Sequence, residues 1–361
     1  MSHHRELYRA QGLPVFQNRM FHSRETATNC AKGDVALVQD LGTGLIFNWA
    51  FDPSLVQYDS DYQNEQAVSD VFRRHLEEVA QLIQSHFAGF SLIEVGCGKG
   101  HFLEQLQAAG FQITGLDPTY EGTNPAVLKK YFTPDIGLRA DGIILRHVLE
   151  HIKDPVSFLY SLREANGGTG KIYIEVPCFD WICSHRAWFD IFYEHVNYFR
   201  LADFLRMFGV VYEARHSFNG QYLSVVADLS TVRVPTYDAS DRFDFPPNFL
   251  QTVTRYAAKL SRQTKVGGPP VAIWGGASKG VIFSLFMQRA GASVGAVIDI
   301  NPAKQGKYLA ASGLQVWSPE AAQRSLAPGS DILVMNANYL DEIKSATSNQ
   351  FNYFVVEHED V

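Results

Sequence analysis

The stretch LIEVGCGKGHFLEQL, Leu92–Leu106, decides the fold. It opens with an apolar run typical of a buried strand, continues through three glycines, and ends with apolar side chains at helical spacing. A sharp turn that must also approach a ligand closely favours glycine, because a Cβ would obstruct both. The stretch therefore predicts a strand, a ligand-binding turn and a helix.

Strand-like and helix-like segments alternate after this stretch. FQITGLD, DGIILR and KIYIEV have the pattern of further strands, and VAIWGGASKGVIFSLF repeats the strand–turn–helix order later in the chain. Such alternation indicates parallel sheets covered by helices. We predict an α/β fold with two Rossmann-like doubly wound sheets in series, preceded by a small strand-and-loop N-terminal segment.

The polar, proline-bearing stretch TVRVPTYDASDRFDFPP predicts the main boundary. We expect four parts: residues 1–66 as the N-terminal segment, 67–230 as the first α/β domain, 231–248 as a linker and 249–361 as the second α/β domain. A chain of 361 residues exceeds what one core usually supports, which agrees with two domains.

Composition excludes some partners. The net charge is −7 and the basic residues are scattered, which argues against nucleic acid. No segment has the length and apolar character of a membrane span or a signal peptide, so no membrane partner and a cytoplasmic location are expected. The four cysteines are dispersed, so they predict neither a disulfide framework nor a metal site.

The first glycine loop has the form E-x-G-x-G-x-G. Glu94 stands two residues before Gly96, and Asp117 ends the next strand, where a carboxylate can bond both ribose hydroxyls of a nucleoside. The loop lacks the Lys-Ser/Thr ending of a P-loop, which argues against a triphosphate. With DGIILRHVLEHIKDP in the fourth-strand region, the chain resembles class I S-adenosylmethionine-dependent methyltransferases.

That resemblance implies S-adenosylmethionine as the cofactor and residues 67–230 as the methyltransferase domain. It implies cofactor contacts at Ser69, Glu94, Gly96, Cys97, Gly98, Gly100, Asp117, Pro118, Arg146 and His147. His147 and His151 belong to a segment that the family shares whatever its substrate, so we expect packing or cofactor contact from them rather than catalysis.

The second glycine loop, Gly275–Gly280, again follows a strand and opens a helix. Asp299 ends the next strand in the position of a ribose-binding acid. Backbone amides at a helix start attract phosphate. The loop is therefore either a second nucleotide site or a tight turn that binds nothing, and the pattern leaves both open.

The second half of the chain and FYEHVNYF, Phe192–Phe199, resemble the sugar C-methyltransferase family. The resemblance is carried by GGASKG, VIDINPAKQGKYL and VWSPE, by the Y-x-E-H-type segment, and by YDSDYQNEQAVS near the N-terminus. It implies a small-molecule substrate, including nucleotide-linked keto-sugars, capped by residues 1–66. Three features depart from the family: only Cys30 stands where CxxC zinc pairs are usual, Phe192 replaces a tyrosine, and MNANY replaces Pro-Trp-Asn.

Carbon methylation requires a base, because a carbon becomes nucleophilic only when a proton beside a carbonyl is removed. We predict His195 as that base, with Glu194 as its partner and Tyr193 or Tyr198 donating a hydrogen bond to the developing charge. The substrate contacts that we predict are Tyr58, Tyr62, Asp190 and Tyr198. A histidine packed among aromatic rings for structure alone is the competing interpretation.

Three functions remain open from the sequence. The first is C-methylation of a keto-sugar-like molecule. The second is N- or O-methylation of another metabolite, suggested by the missing zinc cysteines. The third is a non-catalytic two-domain protein that senses a nucleotide, against which the intact first loop argues.

Overall fold

The N-terminal segment is a three-stranded antiparallel sheet with a short helix. The computed structural model describes residues 3–56, 62, 66–265 and 271–356. The segment contains β1 (His4–Pro14), β2 (Met20–Phe21), α1 (Arg24–Thr28), β3 (Lys32–Asp40) and β4 (Ile46–Asn48), and its sheet has the order β1-β3-β4. The predicted strand-and-loop character of this segment is confirmed.

The middle of the chain forms a seven-stranded sheet. Its elements are α2 (Asp70–Phe87), β5 (Ser91–Val95), α3 (His101–Ala108), β6 (Gln112–Leu116), β7 (Val127–Leu128), β8 (Gly142–Arg146), α4 (Pro155–Ala165), β9 (Lys171–Pro177), α5 (Phe179–Ser184), α6 (Leu201–Met207), β10 (Val211–Ser217) and β11 (Tyr222–Asp228). The strand order is β10-β11-β9-β8-β5-β6-β7. Strands β5 to β9 pair in parallel, while β11 and β10 add antiparallel. The central strands are nearly continuous buried apolar runs because elements cover both faces.

The last part of the chain forms a five-stranded parallel sheet. Its elements are α7 (Gln251–Lys265), β12 (Ala272–Trp274), α8 (Lys279–Arg289), β13 (Ala296–Ile298), β14 (Tyr308–Leu309), β15 (Val316–Trp317), α9 (Pro319–Ser325), β16 (Asp331–Val334), α10 (Leu340–Ala346) and β17 (Asn352–Val355). The sheet order is β15-β13-β12-β16-β17, and all its pairs are parallel. The α/β fold with two parallel-stranded sheets in series is confirmed.

The three parts of the chain pack against one another. Strand β2 pairs with β14, so the N-terminal segment contacts the last part of the chain directly. Residues 231–248 return to the N-terminal sheet, where the Tyr237 amide donates to the Gly42 carbonyl and Gln39 donates to the Asp241 carbonyl. We propose the division at 1–66, 67–230, 231–248 and 249–361 as the domain organisation, since the two parallel sheets fall on either side of the linker.

Each parallel sheet has one place where the strand order reverses. In the first sheet the chain leaves β5 towards β6 and later adds β8 on the opposite side; in the second, β13 and β16 flank β12 in the same way. Ligands of open α/β sheets bind outside the carboxyl ends of the strands at such a reversal. The fold thus directs attention to the loops after β5, β8, β12 and β16. Within the described residues, no helix is both long and apolar enough to cross a membrane.

Candidate active site

A cavity of about 390 Å³ lies where the carboxyl ends of the two parallel sheets face each other. Both glycine loops contribute to its wall, through Gly96–Gly98 and through Gly275 and Ala277–Lys279. The predicted site residues that line it are Tyr62, Ser69, Glu94, Gly96, Cys97, Gly98, Arg146, His147, Asp190 and His195. The first glycine loop and the predicted base His195 therefore line the same cavity.

The first glycine loop is held open by its backbone conformation. Gly96 has φ +73°, and a Cβ there would lie 2.5 Å from a methyl of Val148, so only glycine fits. The Gly98 amide donates to the Asp117 carboxylate over 2.9 Å. The other Asp117 oxygen accepts from the amide and hydroxyl of Thr119. Asp117 therefore lies beside the loop, as expected of an acid that follows β6.

Two predicted cofactor residues lie behind this loop instead of on the cavity wall. Gly100 stands at the start of α3 with φ +82°, and its role in the structure is to begin that helix. Pro118 follows Asp117 and is exposed. Neither of these residues lines the cavity, and Asp117, a third predicted cofactor residue, does not line it either.

Glu94 and Arg146 place an acid and a base on the same wall. Burial raises the pKa of Glu94 to about 7, although the Arg146 guanidinium acts to lower it. Among the described residues, one oxygen of the Glu94 carboxyl group has no hydrogen-bond partner. Arg146 donates to Glu175 over 2.9 Å, and its guanidinium lies 4.5 Å from the ring centre of Phe102. The wall thus suits a ligand that carries both a positive and a negative group.

Ser69 makes a contact across the two sheets. It caps α2 by accepting from the Phe72 amide, and its hydroxyl donates to Glu342 over 2.6 Å. The other Glu342 oxygen accepts from the Asp70 amide over 2.9 Å. A side chain from α10 therefore helps to hold the start of α2 at the cavity.

His195 lies in a cluster of acid and base groups. Its ring stands edge-on to the rings of His151 and Phe192, each with centroids 4.9 Å away. The ring nitrogens of His151 and His195 and an oxygen of Glu150 all lie within 4.8 Å of one another. Burial lowers the pKa of His195 to about 3, and the nearby His151 acts in the same direction. The imidazole is therefore neutral at physiological pH, and one of its ring nitrogens is unprotonated.

Glu150 supplies the negative charge of this cluster. It is 1% exposed, and one of its oxygens has no hydrogen-bond partner among the described residues. Burial acts to raise the pKa of Glu150, but the hydrogen bond with His147 and the charge of His151 bring it below its usual value. Electrostatic attraction from Glu150 acts to raise the pKa of His195. Glu150 is thus placed to balance a positive charge on that imidazole.

Glu194 directs its carboxylate away from the expected pairing with His195. One oxygen accepts from the Tyr62 hydroxyl over 2.8 Å and the other from the Gln17 amide over 3.1 Å. The contact of Glu194 in the histidine cluster is made by its backbone carbonyl, which lies 2.9 Å from Nδ1 of His151. Glu194 therefore orients Tyr62 and His151, and the acid beside His195 is Glu150.

The other predicted tyrosines differ in position. The Tyr193 hydroxyl accepts from the Asp52 amide over 2.8 Å, and the Tyr198 hydroxyl bonds to the backbone of Phe192. Neither tyrosine is among the residues that line the cavity. The hydroxyl groups of Tyr193 and Tyr198, which were predicted to stabilise the developing charge on the substrate, are therefore hydrogen-bonded to the protein backbone. Tyr58 lies outside the described residues.

Asp190 faces the second glycine loop. Its carboxylate lies 3.2 Å from Nζ of Lys279, the first residue of α8. The same ammonium lies 4.8 Å from the ring centre of Trp181 and 3.3 Å from Oε1 of Gln221. Lys279 thus bridges the two sheets at the cavity.

The acid of the second loop is engaged within the loop itself. Asp299 accepts from the Gly276 amide over 2.8 Å and lies 3.2 Å from Nζ of Lys304. Asp299, Lys304, Lys279 and Gly275 all line the cavity. This loop therefore has the same access to the cavity as the first, while its acid is already paired with a lysine.

Sequence reasoning missed several cavity residues. Glu150 was not predicted, and only packing or cofactor contact was expected of His151, although an acid beside a histidine is a signal for proton transfer. Lys279, in the SKG of the second loop, could have been predicted from the sequence as a lysine at the start of a helix. Other polar residues of the wall were also missed, among them Asn18, Gln221, Asn301, Lys304 and Asn336, which no local pattern marks.

Comparison with known proteins assigns the central region. Residues 67–209 match a family model described as a methyltransferase domain. The C-methyltransferase NovU of Streptomyces niveus is 24% identical over 270 residues, which are 65% of this chain and 64% of that protein. A ubiquinone biosynthesis O-methyltransferase of Methylobacterium sp. (strain 4-46) is 33% identical over 88 residues, 20% of this chain and 34% of that protein. The chain thus spans less than two thirds of the length of either relative.

Part of the chain is also similar to solved structures. The 1,6-didemethyltoxoflavin-N1-methyltransferase of Burkholderia thailandensis, solved with 1,6-didemethyltoxoflavin and S-adenosylhomocysteine, is 15% identical. The match covers 44% of this chain and 80% of that one, with a TM-score of 0.33.

Residues 67–209 are a methyltransferase domain. This assignment agrees with the predicted class I type and with S-adenosylmethionine as the expected cofactor. The described residues fit that cofactor, since Gly98 has open space on its Cβ side at the cavity and Glu94 offers a buried oxygen without a hydrogen-bond partner among them.

Proposed function

We propose that this protein transfers a methyl group from S-adenosylmethionine to a carbon atom of a small keto-sugar-like molecule. The single observation that carries the proposal is the shared cavity, in which a neutral, buried His195 faces the same space as the first glycine loop. Similarity to a protein named C-methyltransferase supports carbon as the acceptor atom.

Different residues of the site would bind the methyl donor and activate the acceptor. The turn at Gly96 and Gly98, with Glu94, Asp117, Arg146 and His147, holds the donor. When bound, S-adenosylmethionine supplies an electrophilic methyl group and leaves as a neutral thioether. Holding donor and acceptor in one cavity replaces a bimolecular encounter by a positioned one, which is the main contribution a protein makes to such a displacement.

His195 would remove the proton that makes the acceptor carbon nucleophilic. The C–H bond beside the acceptor carbonyl breaks, its proton moves to a ring nitrogen of His195, and its electron pair becomes the enolate that forms the new C–C bond. Glu150 lies within reach of the imidazolium so formed, and the Glu194 carbonyl fixes the ring of His151 beside it. A positioned base whose pKa lies near the working pH contributes about 10²–10⁴-fold in rate. The charge of Glu150 acts to raise the low pKa of His195 towards that range.

The second sheet supports an acceptor with a polar or anionic portion, including a nucleotide-linked sugar. Lys279 and Lys304 both line the cavity, as do the loop residues Gly275 and Ser278. An anionic group entering here would compete with Asp190 for Lys279 and meet backbone amides of the loop. A role of this loop as a tight turn that contacts no ligand stays the competing interpretation.

The experiment compares His195→Asn with His86→Asn. His86 is paired with Glu213 at 2.6 Å and does not line the cavity, so its variant controls for loss of a part-buried histidine. We expect His195→Asn to bind S-adenosylhomocysteine by calorimetry like the wild type. Turnover with keto-sugars, followed by release of S-adenosylhomocysteine, should fall about 10²–10⁴-fold. Full activity of the His195 variant would refute the base.

A second candidate is N- or O-methylation, favoured by the similarity of 88 residues to a protein named O-methyltransferase. An amine or a phenolate needs little help from a base. Turnover of an amine or hydroxyl acceptor that persists in His195→Asn, with no exchange of solvent deuterium into a carbon acid, would support this function over the first.

A further inference from the structure

One buried carboxylate near the first glycine loop gathers groups from three elements and from the turn that follows β8. Glu175 on β9 is fully buried and accepts from Arg146 of β8 over 2.9 Å and from the Tyr173 hydroxyl of its own strand over 2.9 Å. His147, just after β8, and His75 of α2 place ring nitrogens 3.0 Å and 3.2 Å from the same carboxylate. No residue of this network except Arg146 and His147 lines the cavity.

Glu175 also holds the backbone of His147 in a strained conformation. His147 has φ +50°, which is uncommon for a residue with a side chain. Its amide donates to the Glu175 carbonyl over 2.8 Å, while its imidazole lies between the carboxylates of Glu175 and Glu150, at 3.0 Å and 3.4 Å. Strain of this kind persists only where the surroundings over-determine it, and it concentrates at functional sites.

Two polar atoms on the cavity-lining residues Arg146 and Glu94 have bonding capacity left. Nε of Arg146 and one carboxyl oxygen of Glu94 are buried without a hydrogen-bond partner among the described residues. A buried polar atom without a partner is unfavourable, so a ligand that supplies the missing partners is favoured. The amino acid portion of the donor carries one carboxylate and one ammonium, which match Arg146 and Glu94 in charge.

We propose that Glu175 is the positioning residue of the donor site. Its carboxylate and carbonyl together fix Arg146 and His147 at the carboxylate end of bound S-adenosylmethionine, and Glu175 itself touches no ligand. Without its negative charge, the Arg146 guanidinium and a protonated His147 would repel each other in a buried space, and the strained turn would relax. This proposal rests on cofactor binding by the domain and not on the identity of the acceptor.

The charges around His147 set its pKa, and the pH dependence of cofactor binding therefore distinguishes this positioning role from a purely structural one. Burial acts to lower the pKa of His147, but Glu150 and Glu175 raise it to about 9. The other groups that face it are Arg146, the Tyr222 ring with its centroid 4.6 Å away, and more distantly His75 and His195. Removing the charge of Glu175 therefore lowers the pKa of His147, so the imidazole loses its proton at lower pH.

The experiment is calorimetric titration of the full-length protein with S-adenosylmethionine from pH 6 to 9.5. Glu175→Gln is compared with wild type, with Glu175→Asp, and with Glu213→Gln, which removes an acid paired with a histidine elsewhere on the same sheet. We expect Glu175→Gln to raise Kd about 10–100-fold, as lost charge-assisted hydrogen bonds do. We also expect the ratio of its Kd to that of wild type to grow between pH 7 and 9. Glu175→Asp should restore the pH dependence and part of the affinity, and Glu213→Gln should match wild type.

Two results would overturn the proposal. One is a cooperatively folded Glu175→Gln that binds within twofold of wild type at every pH. The other applies if this variant does not fold: NMR titration of wild-type His147, assigned with His147→Gln, that shows a pKa at or below 6.5. These measurements include no acceptor molecule. The proposal for Glu175 and the proposal of carbon methylation can therefore each fail without the other.

Discussion

Glu94→Gln should change how the stability of the protein depends on pH. Burial raises the pKa of Glu94 from 4.5 to about 7 in the folded protein, partly opposed by Arg146. The folded state therefore keeps a proton that the unfolded state loses near pH 4.5. Stability rises with pH only where the unfolded state binds more protons, so here this residue makes stability fall between about pH 4.5 and 7. At about 1.36 kcal/mol per pKa unit, the loss reaches about 3 kcal/mol above pH 7.

A glutamine at this position keeps the size of the side chain and cannot ionise. The free energy of unfolding, measured in urea at half-unit steps from pH 4.5 to 8, is compared between Glu94→Gln and wild type, so that contributions from other groups cancel. We expect the difference to shift in favour of the variant by about 3 kcal/mol across this range. Glu78→Gln, which neutralises an exposed acid on α2, is the control and should show a flat difference.

A flat difference for Glu94→Gln would refute the reasoning, because it would mean that Glu94 ionises alike in the folded and unfolded states. A difference that shifts towards wild type as pH rises would show that Arg146 holds Glu94 ionised. Adding S-adenosylmethionine at saturating concentration should reduce the pH dependence of the wild type, since a bound ammonium favours the carboxylate.

Two further variants test the two ends of the cavity. Asp117→Asn removes the charge beside the first glycine loop and should weaken binding of S-adenosylhomocysteine about tenfold by calorimetry; unchanged affinity would mean that the ribose hydroxyls are held elsewhere. Lys279→Met keeps much of the apolar stem but removes the ammonium group between Asp190 and Gln221. The KM for a nucleotide-linked acceptor should therefore rise about tenfold, while the Kd for S-adenosylmethionine stays within twofold. Equal losses of affinity for donor and acceptor would contradict an acceptor role for the second loop.

Local sequence patterns predicted the first glycine loop because its physics is local. Three glycines between a strand and a helix define the turn whatever surrounds them, and Asp117 follows from the length of one helix and one strand. In the structure the amide of Gly98 donates to Asp117, so the acid lies beside the loop. The alternation of strands and helices likewise fixed the two parallel-stranded sheets.

The neighbours of His195 could not be predicted in this way. Adjacent in sequence, Glu194 and His195 point their side chains to different partners, and the acid beside His195 is Glu150, 45 positions earlier. Which residues meet here depends on how the turn after β8 packs against the loop after α5. Only the packing of distant segments sets that geometry.

The sequence by itself thus determined the class of fold and the first glycine loop, since turn conformation and hydrophobic periodicity act over a few residues. The tertiary structure alone decided that both glycine loops open into one cavity, that Glu175 unites α2, β8 and β9 beneath it, and that Glu342 of α10 holds the start of α2. These contacts join residues 29 to 273 positions apart. Their free energy comes from removing charges from water and pairing them, which has no signature in any short stretch of sequence.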